Sequence, residues 1–301
     1  MADKTFLSPS LVAVGLRDPD GRPLPRWAAG SHVNLVLAEG LVRPYSLCGR
    51  TEDRGRWLVL VRRHGASRGG SDHVHDRLRA GDRIGYLGVL PGLTLAGAGR
   101  YTFVAGGAGV APLIPLARLA DAARRPWSLA LFGHDARQVA DWRELADLRH
   151  AVTVARERED IASVLHDVRD GCAVYTCGPE PFVAAIDRVL ADRPGVRLFR
   201  ESFEPPAGAG GDSPAVDLVL ARSKLSFSVP AGTSLNEGLR AMGVEVPVSC
   251  GAGFCGACAV RVLRGVPDHR DGLLDTGQRA ANNVILTCVS RSRTPELVLD
   301  L

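Results

Sequence analysis

The stretch CGAGFCGAC at residues 250–258 places Cys250, Cys255 and Cys258 in the pattern C-x4-C-x2-C, and Cys288 follows 30 residues after the third cysteine. This is the spacing of the four thiolate ligands of a plant-type [2Fe–2S] cluster. The glycines between the cysteines allow a short loop to curl around a cluster and to point backbone N–H groups at its sulfur atoms. The pattern therefore predicts a one-electron centre near the C-terminus and electron transfer as the function.

A structural zinc site with four thiolate ligands is the alternative to the iron–sulfur cluster. Zinc sites of that kind usually consist of two closely spaced cysteine pairs. Here three cysteines lie in one loop and the fourth lies far along the chain. The spacing therefore favours the cluster.

The composition is that of a globular protein with more than one domain. The 301 residues are enough for two or three domains that each bury a core. The apolar content of 46% and the charged content of 23% are ordinary values. No run of residues has the length and apolarity of a membrane span, and the N-terminus lacks the apolar region of a signal peptide. We therefore expect a cytoplasmic protein that does not contact membranes.

The remaining cysteines and the charges exclude two other classes of protein. Cys48, Cys172 and Cys177 are odd in number and scattered, so they predict no disulfide framework and fit a reducing compartment. The net charge is +4, and 35 of the 37 basic residues are arginine. No basic patch with interleaved aromatic residues is present, so we expect no nucleic-acid partner.

The pattern of apolar residues changes near residue 100. Before it, short strands such as 32–38, 56–63 and 83–88 are separated by Gly and Pro, which favours a small antiparallel β-barrel. After it, strands alternate with helices, which is typical of a parallel α/β sheet. The predicted strands are 101–106, 128–133, 152–155, 173–178 and 196–203, and the predicted helices are about 112–124, 140–149 and 180–191.

A linker separates the cysteine-rich region from the rest of the chain. The stretch EPPAGAGGDSP at 204–214 has no large apolar residue with which to pack against a core. We therefore predict four parts: a barrel domain at 1–98, an α/β domain at 99–204, a linker at 205–214 and a cluster domain at 215–301. About ten flexible residues span roughly 16–19 Å, which would let the cluster domain pivot.

A glycine-rich turn follows the first strand of the α/β region. The sequence GGAGVAP at 106–112 permits a tight turn at Gly107 and Gly109 and a close backbone approach to a pyrophosphate. Pro112 fits the first turn of the helix that follows, where no N–H is needed. The motif departs from G-x-G-x-x-G in its last position, and a purely structural turn is the alternative.

Three further motifs allow both a binding and a structural interpretation. CGPEPF at 177–182 places a thiol at the carboxyl edge of the sheet, where ligands bind, although a buried structural cysteine is the alternative. RPYSL at 43–47 places Arg43 and Tyr45 on one face of a strand, as a ligand contact or as an ordinary surface pair. SRGGS at 67–71 leads into a helix, which is typical of a phosphate site.

The motifs occur in an order that resembles one family. RPYSL, RGGS, GGAGVAP, CGPEPF and the C-terminal cysteine pattern follow each other as in phthalate dioxygenase reductase and vanillate O-demethylase reductase. These are ferredoxin–NADP⁺ reductase-like flavoproteins with a fused plant-type ferredoxin. The resemblance covers essentially the whole chain. It implies FMN in a six-stranded antiparallel barrel, NADH in the α/β domain and the cluster in a β-grasp ferredoxin domain.

The resemblance also implies the roles of individual flavin contacts. Arg43 and Ser71 would bind the phosphate of FMN together with the backbone of Gly69 and Gly70. Tyr45 would pack on the isoalloxazine ring, and Ser46 would lie near its N5 edge as a catalytic residue.

For the nucleotide, the resemblance implies contacts with Gly107, Gly109 and Pro112. Cys177, as a further catalytic residue, and Gly178 would line the nicotinamide site. Phe203, the third catalytic residue, would be the aromatic residue that covers the flavin.

Two positions depart from the family pattern. Where relatives often carry an Arg after the second strand of the nucleotide domain, this chain has His134 and Asp135. A carboxylate suits a ribose diol and repels a 2′-phosphate, so Asp135 favours NADH over NADPH, although Arg137 lies nearby. The loop LPGLTL at 90–95 lacks the Asn and Phe that are usual in relatives, which puts the flavin contacts of that loop in doubt.

The leading functional hypothesis is the reductase component of a two-component Rieske non-haem iron oxygenase. NADH gives up two electrons together and a cluster accepts one, and a flavin links the two. A cytochrome P450 or another haem protein is the alternative acceptor, since nine basic and eight acidic residues at 215–301 do not single out a partner. A redox sensor is a further alternative, but a sensor would not need a hydride donor.

Overall fold

The structure is a computed structural model that describes residues 1–38, 41–63, 65, 69–155, 160–201, 213–248, 251, 253, 256–274 and 276–301. The chain forms two compact units, Met1–Ser202 and Phe203–Leu301. Of the predicted linker, only Ser213 and Pro214 lie within the described residues.

The first unit begins with six strands in two three-stranded antiparallel sheets. The strands are β1 (Asp3–Ser8), β2 (Leu11–Leu16), β3 (His32–Ala38), β4 (Leu41–Ser46), β5 (Trp57–Arg62) and β6 (Gly85–Leu90). One sheet has the order β1-β2-β5 and the other β4-β3-β6. Alternate residues such as Val12, Val14, Val59 and Val61 share one buried core with Val33 of the other sheet.

The predicted barrel is not found as a closed ring among the described residues. The six strands are present, but β4 and β5 are joined only by an isolated bridge between Leu47 and Val59. The backbone ladder between the two sheets is therefore interrupted, and the sheets cover their common core as two layers.

The second half of the first unit is a five-stranded parallel sheet. Its strands are β7 (Arg100–Gly106), β8 (Trp127–Phe132), β9 (Val152–Ala155), β10 (Cys172–Cys177) and β11 (Arg197–Glu201), in the order β11-β10-β7-β8-β9. The chain runs outward from β7 in one direction and returns to the other side at β10. Such a reversal creates a crevice at the carboxyl ends of the two central strands, where ligands of these folds bind.

Helices pack against both faces of this sheet. They are α2 (Val110–Ala122), α3 (Ala136–Ala140), α4 (Asp160–Val164) and α5 (Glu180–Leu190), and the short α1 (Gly70–Asp72) precedes them in the barrel region. In α5 the buried residues Phe182, Ile186 and Leu190 recur every four positions, as expected for a helix with one apolar face. The helices that follow β7 and β10 lie close to their predicted positions.

The prediction of a helix at about 140–149 is wrong. The helix in this region is α3, which ends at Ala140, and short 3-10 turns follow at Arg143–Leu145 and Arg149–Ala151. Trp142 has φ −65° and ψ 134°, an extended conformation that interrupts the helix. The apolar residues Trp142, Leu145 and Leu148 are buried although they lie in short turns. The helix therefore does not continue through Trp142.

The second unit is built on a mixed sheet. Its strands are β12 (Val216–Leu220), β13 (Leu225–Val229), β14 (Ala259–Arg264), β15 (Pro267–Asp268), β16 (Val284–Leu286), β17 (Arg291–Ser292) and β18 (Glu296–Leu299). The main sheet has the order β13-β12-β18-β14-β16, with β12 and β18 parallel and the other pairs antiparallel. Helices α6 (Leu235–Ala241) and α7 (Thr276–Ala281) complete the unit, and α6 buries Leu235 and Leu239 in its core.

In the described part of the chain, no helix combines the length and the apolarity that crossing a membrane requires.

Tyr175 connects the loop after β6 to the parallel sheet. This fully buried side chain on β10 donates its hydroxyl hydrogen to the carbonyl of Thr94 (2.9 Å) and accepts the N–H of Ala96 (2.7 Å). Its ring stacks on Phe199 of β11, with 4.6 Å between the centroids. Tyr101 on β7 holds the same segment, since its hydroxyl donates to the carbonyl of Ala96 (2.9 Å). Both hydroxyls therefore tie residues 94–96 to the parallel sheet.

We expect Tyr175→Phe to lower the free energy of unfolding of the first unit by about 1–3 kcal/mol, because two backbone groups lose a buried partner. All four tryptophans lie before residue 150, so tryptophan fluorescence during urea unfolding reports on this unit alone. Tyr86→Phe, whose side chain is 45% exposed, is the control. Equal unfolding midpoints for the two variants would contradict the proposed role of the hydroxyl.

Candidate functional site

The glycine-rich turn after β7 lies directly against the end of β10. Gly107–Gly109 form a 3-10 turn that leads into α2. A Cβ atom added to Gly109 would lie 2.1 Å from the carbonyl oxygen of Cys177 and 2.8 Å from the nitrogen of Gly178. No side chain fits at that distance. The structure thus brings Gly109, Cys177 and Gly178 together at the carboxyl edge of the sheet.

Pro112 is the third residue of α2 and is buried. The first turn of a helix has N–H groups without helical partners, so a Pro there removes none of the helical hydrogen bonds. The thirteen-residue helix α2 points its N-terminus at the crevice above β7 and β10. Backbone donors and the positive end of the helix dipole therefore face the position expected for a pyrophosphate.

Cys177 lies beside a buried carboxyl group. On the parallel strands β10 and β11, Cys177 is in register with Glu201. Burial raises the pKa of Glu201 from 4.5 to about 7, and burial together with Glu201 raises the pKa of the Cys177 thiol well above its usual value. The thiol therefore stays protonated and is unsuited to act as a nucleophile or as a metal ligand.

Some of the buried polar atoms without hydrogen-bond partners lie at the two predicted sites. Within the described residues, Oε2 of Glu201, Oγ1 of Thr176 and Oγ of Ser46 are buried and have no hydrogen-bond partner. Buried polar groups are normally satisfied. Two of these atoms belong to the edge formed by β10 and β11, and the third is at the end of β4. A polar ligand bound at each place would supply the missing hydrogen-bond partner.

Arg62, at the end of β5, reaches the glycine-rich turn. Its Nη1 would lie 2.6 Å from a Cβ added to Gly107, which has φ +58°. Its Nη2 donates to Oδ2 of Asp135 (2.7 Å), and Ser10 Oγ donates to the same oxygen (3.1 Å). The buried carboxylate of Asp135 thus contacts the barrel region, and its predicted contact with a ribose stays a prediction.

The RPYSL and RGGS motifs meet in the barrel region. A Cβ added to Gly70 would lie 2.6 Å from Cγ of Arg43, so the arginine side chain lies across the glycine. Gly69 has φ +87° and immediately precedes α1, which contains Ser71. The motifs that the resemblance assigns to one phosphate are therefore adjacent in the structure.

Tyr45 is paired with Val33 on β3, and Arg43 with Leu35. Tyr45 packs against the core of the two sheets, and burial raises its pKa. Ser46 follows on the opposite face of the strand, as alternation requires. Phe203, the predicted cover of the flavin, lies outside the described residues.

Two of the four predicted cluster ligands lie side by side in the second unit. The sulfur atoms of Cys258 and Cys288 are 3.1 Å apart and form no disulfide bond. Cys258 is 1% exposed. Cys250 and Cys255 lie outside the described residues. The two thiols, 30 residues apart in the sequence, have the proximity that ligands of a shared metal centre need.

The glycines of this loop have the backbone conformation that the cluster interpretation requires. Gly251, Gly253 and Gly256 have φ values of +64°, +76° and +73°. Side chains other than glycine rarely adopt this left-handed region. At Gly253 a Cβ would also lie 2.5 Å from the side chain of Val289, next to Cys288. The thiol pair and the tight loop fit an iron–sulfur cluster.

Sequence reasoning missed Arg62 and Glu201. Glu201 ends the last parallel strand, at the same edge as Cys177. Its position at that edge was a usable signal, because ligand-binding residues of such sheets lie there. Arg62 gave no signal, since a cation at the end of a strand of the barrel region is an ordinary surface feature.

Comparisons with known proteins agree with this arrangement. A family model described as 2Fe-2S iron-sulfur cluster binding domain matches residues 218–293. The chain is 35% identical to phenoxybenzoate dioxygenase subunit beta of Ectopseudomonas oleovorans, over 95% of this chain and 91% of that protein. It is 31% identical to phthalate dioxygenase reductase of Burkholderia cepacia, over 100% of this chain and 96% of that protein.

Two solved structures are similar over the whole chain. One is an intact type IV self-sufficient cytochrome P450 monooxygenase, with a TM-score of 0.89 and 34% identity, of which this chain covers 40%. The other is phthalate dioxygenase reductase, with a TM-score of 0.68 and 30% identity, covered over 96% of its length. Its title describes a modular structure for electron transfer from pyridine nucleotides to [2Fe–2S].

We expect Gly109→Ala to lower the unfolding midpoint of the first unit and to weaken dinucleotide binding, because the added methyl group overlaps the carbonyl of Cys177. Overpacking of this kind costs on the order of 1–3 kcal/mol. The measurements are tryptophan fluorescence during unfolding and calorimetric titration with NADH. Gly97→Ala is the control, since no atom lies within 4 Å of its added Cβ. A Gly109→Ala protein that matches this control in both measurements would show that the contact is not needed.

The raised pKa of Glu201 predicts a pH dependence of stability. The unfolded chain loses this proton near pH 4.5 and the folded protein near pH 7, so the folded state holds more protons between those values. The associated stabilisation is complete below pH 4.5 and is lost as the pH rises to about 7, by at most about 3 kcal/mol. Glu201→Gln should remove this part of the pH profile in urea unfolding. Parallel profiles of the two proteins would contradict the assignment.

Proposed function

We propose that this chain, which belongs to the family of phthalate dioxygenase reductase and vanillate O-demethylase oxidoreductase, is the NADH-dependent reductase component of a Rieske non-haem iron oxygenase. The observation that carries the proposal is that one chain contains two places suited to redox groups. The edge at β7 and β10 in one unit fits a dinucleotide, and the Cys258–Cys288 pair in the other fits a cluster. Similarity to reductases of oxygenase systems extends over both units.

The nucleotide would bind at the edge of the parallel sheet. Gly107, Gly109 and Pro112 provide the glycine turn and the helix N-terminus for the pyrophosphate, and Arg62 adds a cation beside the turn. Arg62 forms an ion pair that holds its guanidinium in this place before any ligand is bound. A positioned cation and fixed backbone donors favour a doubly charged pyrophosphate.

Cys177, Gly178 and Glu201 would line the nicotinamide site. Glu201 is about half protonated at neutral pH because its pKa is raised to about 7, and the Cys177 thiol is uncharged. Oε2 of Glu201 lacks a partner, so it fits the carboxamide of a nicotinamide ring. Hydride transfer itself needs no acid or base, and these residues would orient the ring and exclude water.

FMN would bind in the barrel region, with its phosphate at Arg43, Gly69, Gly70 and Ser71. Arg43 already lies across Gly70, which supports a shared phosphate contact. Ser46 has a buried hydroxyl that can donate to a flavin ring atom. The roles of Tyr45 and of Phe203 against the ring remain part of the proposal.

The cluster would bind to Cys250, Cys255, Cys258 and Cys288. When bound, FMN would link the two sites, because a flavin accepts a hydride and releases electrons one at a time. A [2Fe–2S] cluster accepts single electrons. The chain holds the two sites in different compact units joined through residues 205–214, and we propose that this linker lets the cluster unit move between flavin and partner.

NADH is the proposed donor because of Asp135. Its Oδ2 accepts from Arg62 and Ser10, whereas Oδ1 has only a contact of 3.4 Å with Ser10. Oδ1 is therefore the oxygen that a ribose hydroxyl would reach. A carboxylate in this place disfavours the 2′-phosphate of NADPH by charge repulsion.

A cytochrome P450 is the second candidate partner. The specific observation in its favour is the similarity to the type IV self-sufficient P450, with a TM-score of 0.89 over all of this chain. The chain spans about 40% of that protein. Two partner classes therefore need direct comparison.

The test begins with the purified protein. We expect one FMN, two irons and two acid-labile sulfides per chain, and NADH-dependent reduction of cytochrome c through many turnovers, with NADPH much less effective. Absence of flavin or of iron and sulfide after anaerobic reconstitution would refute the proposal, and a single turnover would favour a redox sensor. We expect the reduced protein to transfer electrons faster to a Rieske oxygenase than to a cytochrome P450. The reverse order would favour the P450 as the partner.

A further inference from the structure

Helix α6 begins with a firmly defined first turn. Ser234 Oγ accepts the N–H of Glu237 (3.0 Å), and the side chain of Glu237 accepts the N–H of Ser234 (2.9 Å). This reciprocal capping box fixes where the helix starts. Asn236 lies in this first turn, where backbone N–H groups have no helical partner, and its own hydrogen bonds to Thr287 and Val246 place its side chain.

Asn236 uses its free backbone and side-chain donors on the two chain segments that lead to cluster ligands. Its N–H donates to the carbonyl of Thr287 (3.1 Å). Its Nδ2 donates to Oγ1 of Thr287 (3.3 Å) and to the carbonyl of Val246 (3.3 Å). Thr287 immediately precedes Cys288, and Val246 lies four residues before Cys250. One side chain thus joins both segments.

Thr287 extends this link to a third ligand. It is fully buried, and both its N–H and its hydroxyl donate to the carbonyl of Cys258 at 3.2 Å. The residue before one predicted ligand therefore holds the backbone of another. The sulfur atoms of Cys258 and Cys288 lie 3.1 Å apart as a result of this packing and of the β14–β16 pairing.

The direction of the hydrogen bonds makes the link specific. Because the amide of Asn236 donates to the hydroxyl oxygen of Thr287, the hydroxyl hydrogen is directed to the carbonyl of Cys258. An aliphatic side chain at 236 would remove both side-chain donors and leave the buried hydroxyl oxygen without one. The capping box would be unaffected, since it involves only Ser234 and Glu237.

We propose that Asn236 is a positioning residue that sets the reduction potential and the retention of the [2Fe–2S] cluster, acting through Thr287 on the Cys258–Cys288 pair. The inference rests on the proposed function, since it concerns the cluster of that electron path. Cluster potentials depend on hydrogen bonding and solvent access around the sulfurs, and residues that orient ligands commonly change metal affinity 10–100-fold. A shift of the two ligand segments changes both quantities.

The test compares four variants of the full-length holoprotein. Asn236→Leu and Thr287→Val each break the link. Thr287→Ser keeps the hydroxyl, and Ser234→Ala weakens the start of the same helix without touching the ligand segments. The measurements are the cluster potential by titration followed with electron paramagnetic resonance, the flavin potential as an internal reference, and the rate of iron loss to a chelator.

We expect Asn236→Leu and Thr287→Val to shift the cluster potential in the same direction and to lose iron at least about tenfold faster. The double variant should add little to either single change, because both act through one link. Thr287→Ser and Ser234→Ala should keep the wild-type cluster potential, and the flavin potential should be unchanged throughout.

Wild-type potential and iron retention in Asn236→Leu would overturn the inference. So would equal changes in Asn236→Leu and Ser234→Ala, which would indicate a purely structural role. If Asn236→Leu does not fold, Asn236→Asp decides, because it keeps the shape of the side chain but cannot donate. A wild-type protein without iron and sulfide would instead refute the proposed function itself, so the two failures are distinguishable.

Discussion

The approach of Gly109 to the carbonyl end of β10 is the contact on which the arrangement of the first unit depends. A side chain at this position would coincide with the carbonyl oxygen of Cys177. Because β7 lies between β10 and β8, the absence of that side chain lets the start of α2 reach the end of the neighbouring strand. The helix N-terminus, the Cys177 thiol and the Glu201 carboxyl thereby share one edge of the sheet.

Local patterns predict the strands and helices well where one residue period continues without interruption. Strand β3 and strand β9 have the predicted bounds, since the strand residues at 32–38 and 152–155 are uninterrupted. The prediction of a helix at 140–149 is wrong because Trp142 is buried in an extended conformation that ends the helical segment. Barrel closure is also beyond local pattern, because it depends on whether β4 and β5 pair through more than the single bridge at Leu47.

The site follows the same division between residue chemistry and tertiary placement. Motif residues such as Gly109, Cys177 and Cys258 can be identified from sequence, because their chemistry allows few other roles at that spacing. The family resemblance is confirmed by full-length relatives at 30–35% identity, and the 2Fe-2S family match supports a cluster over a zinc site. Arg62 and Glu201 acquire their meaning only when separate strands bring them to the glycine turn and to Cys177.

The ion pair between Arg62 and Asp135 has a consequence for the modularity of such reductases. The guanidinium belongs to the last residue of β5, its carboxylate partner follows β8, and Ser10 from the first hairpin binds the same oxygen. The region before residue 98 therefore carries the cation and the hydroxyl, and the region after it carries the carboxylate that pairs with them. Joining one half of this chain to a half from a relative without the matching charge would leave a buried, uncompensated charge, so shuffling at residue 98 is constrained by electrostatics as well as by shape.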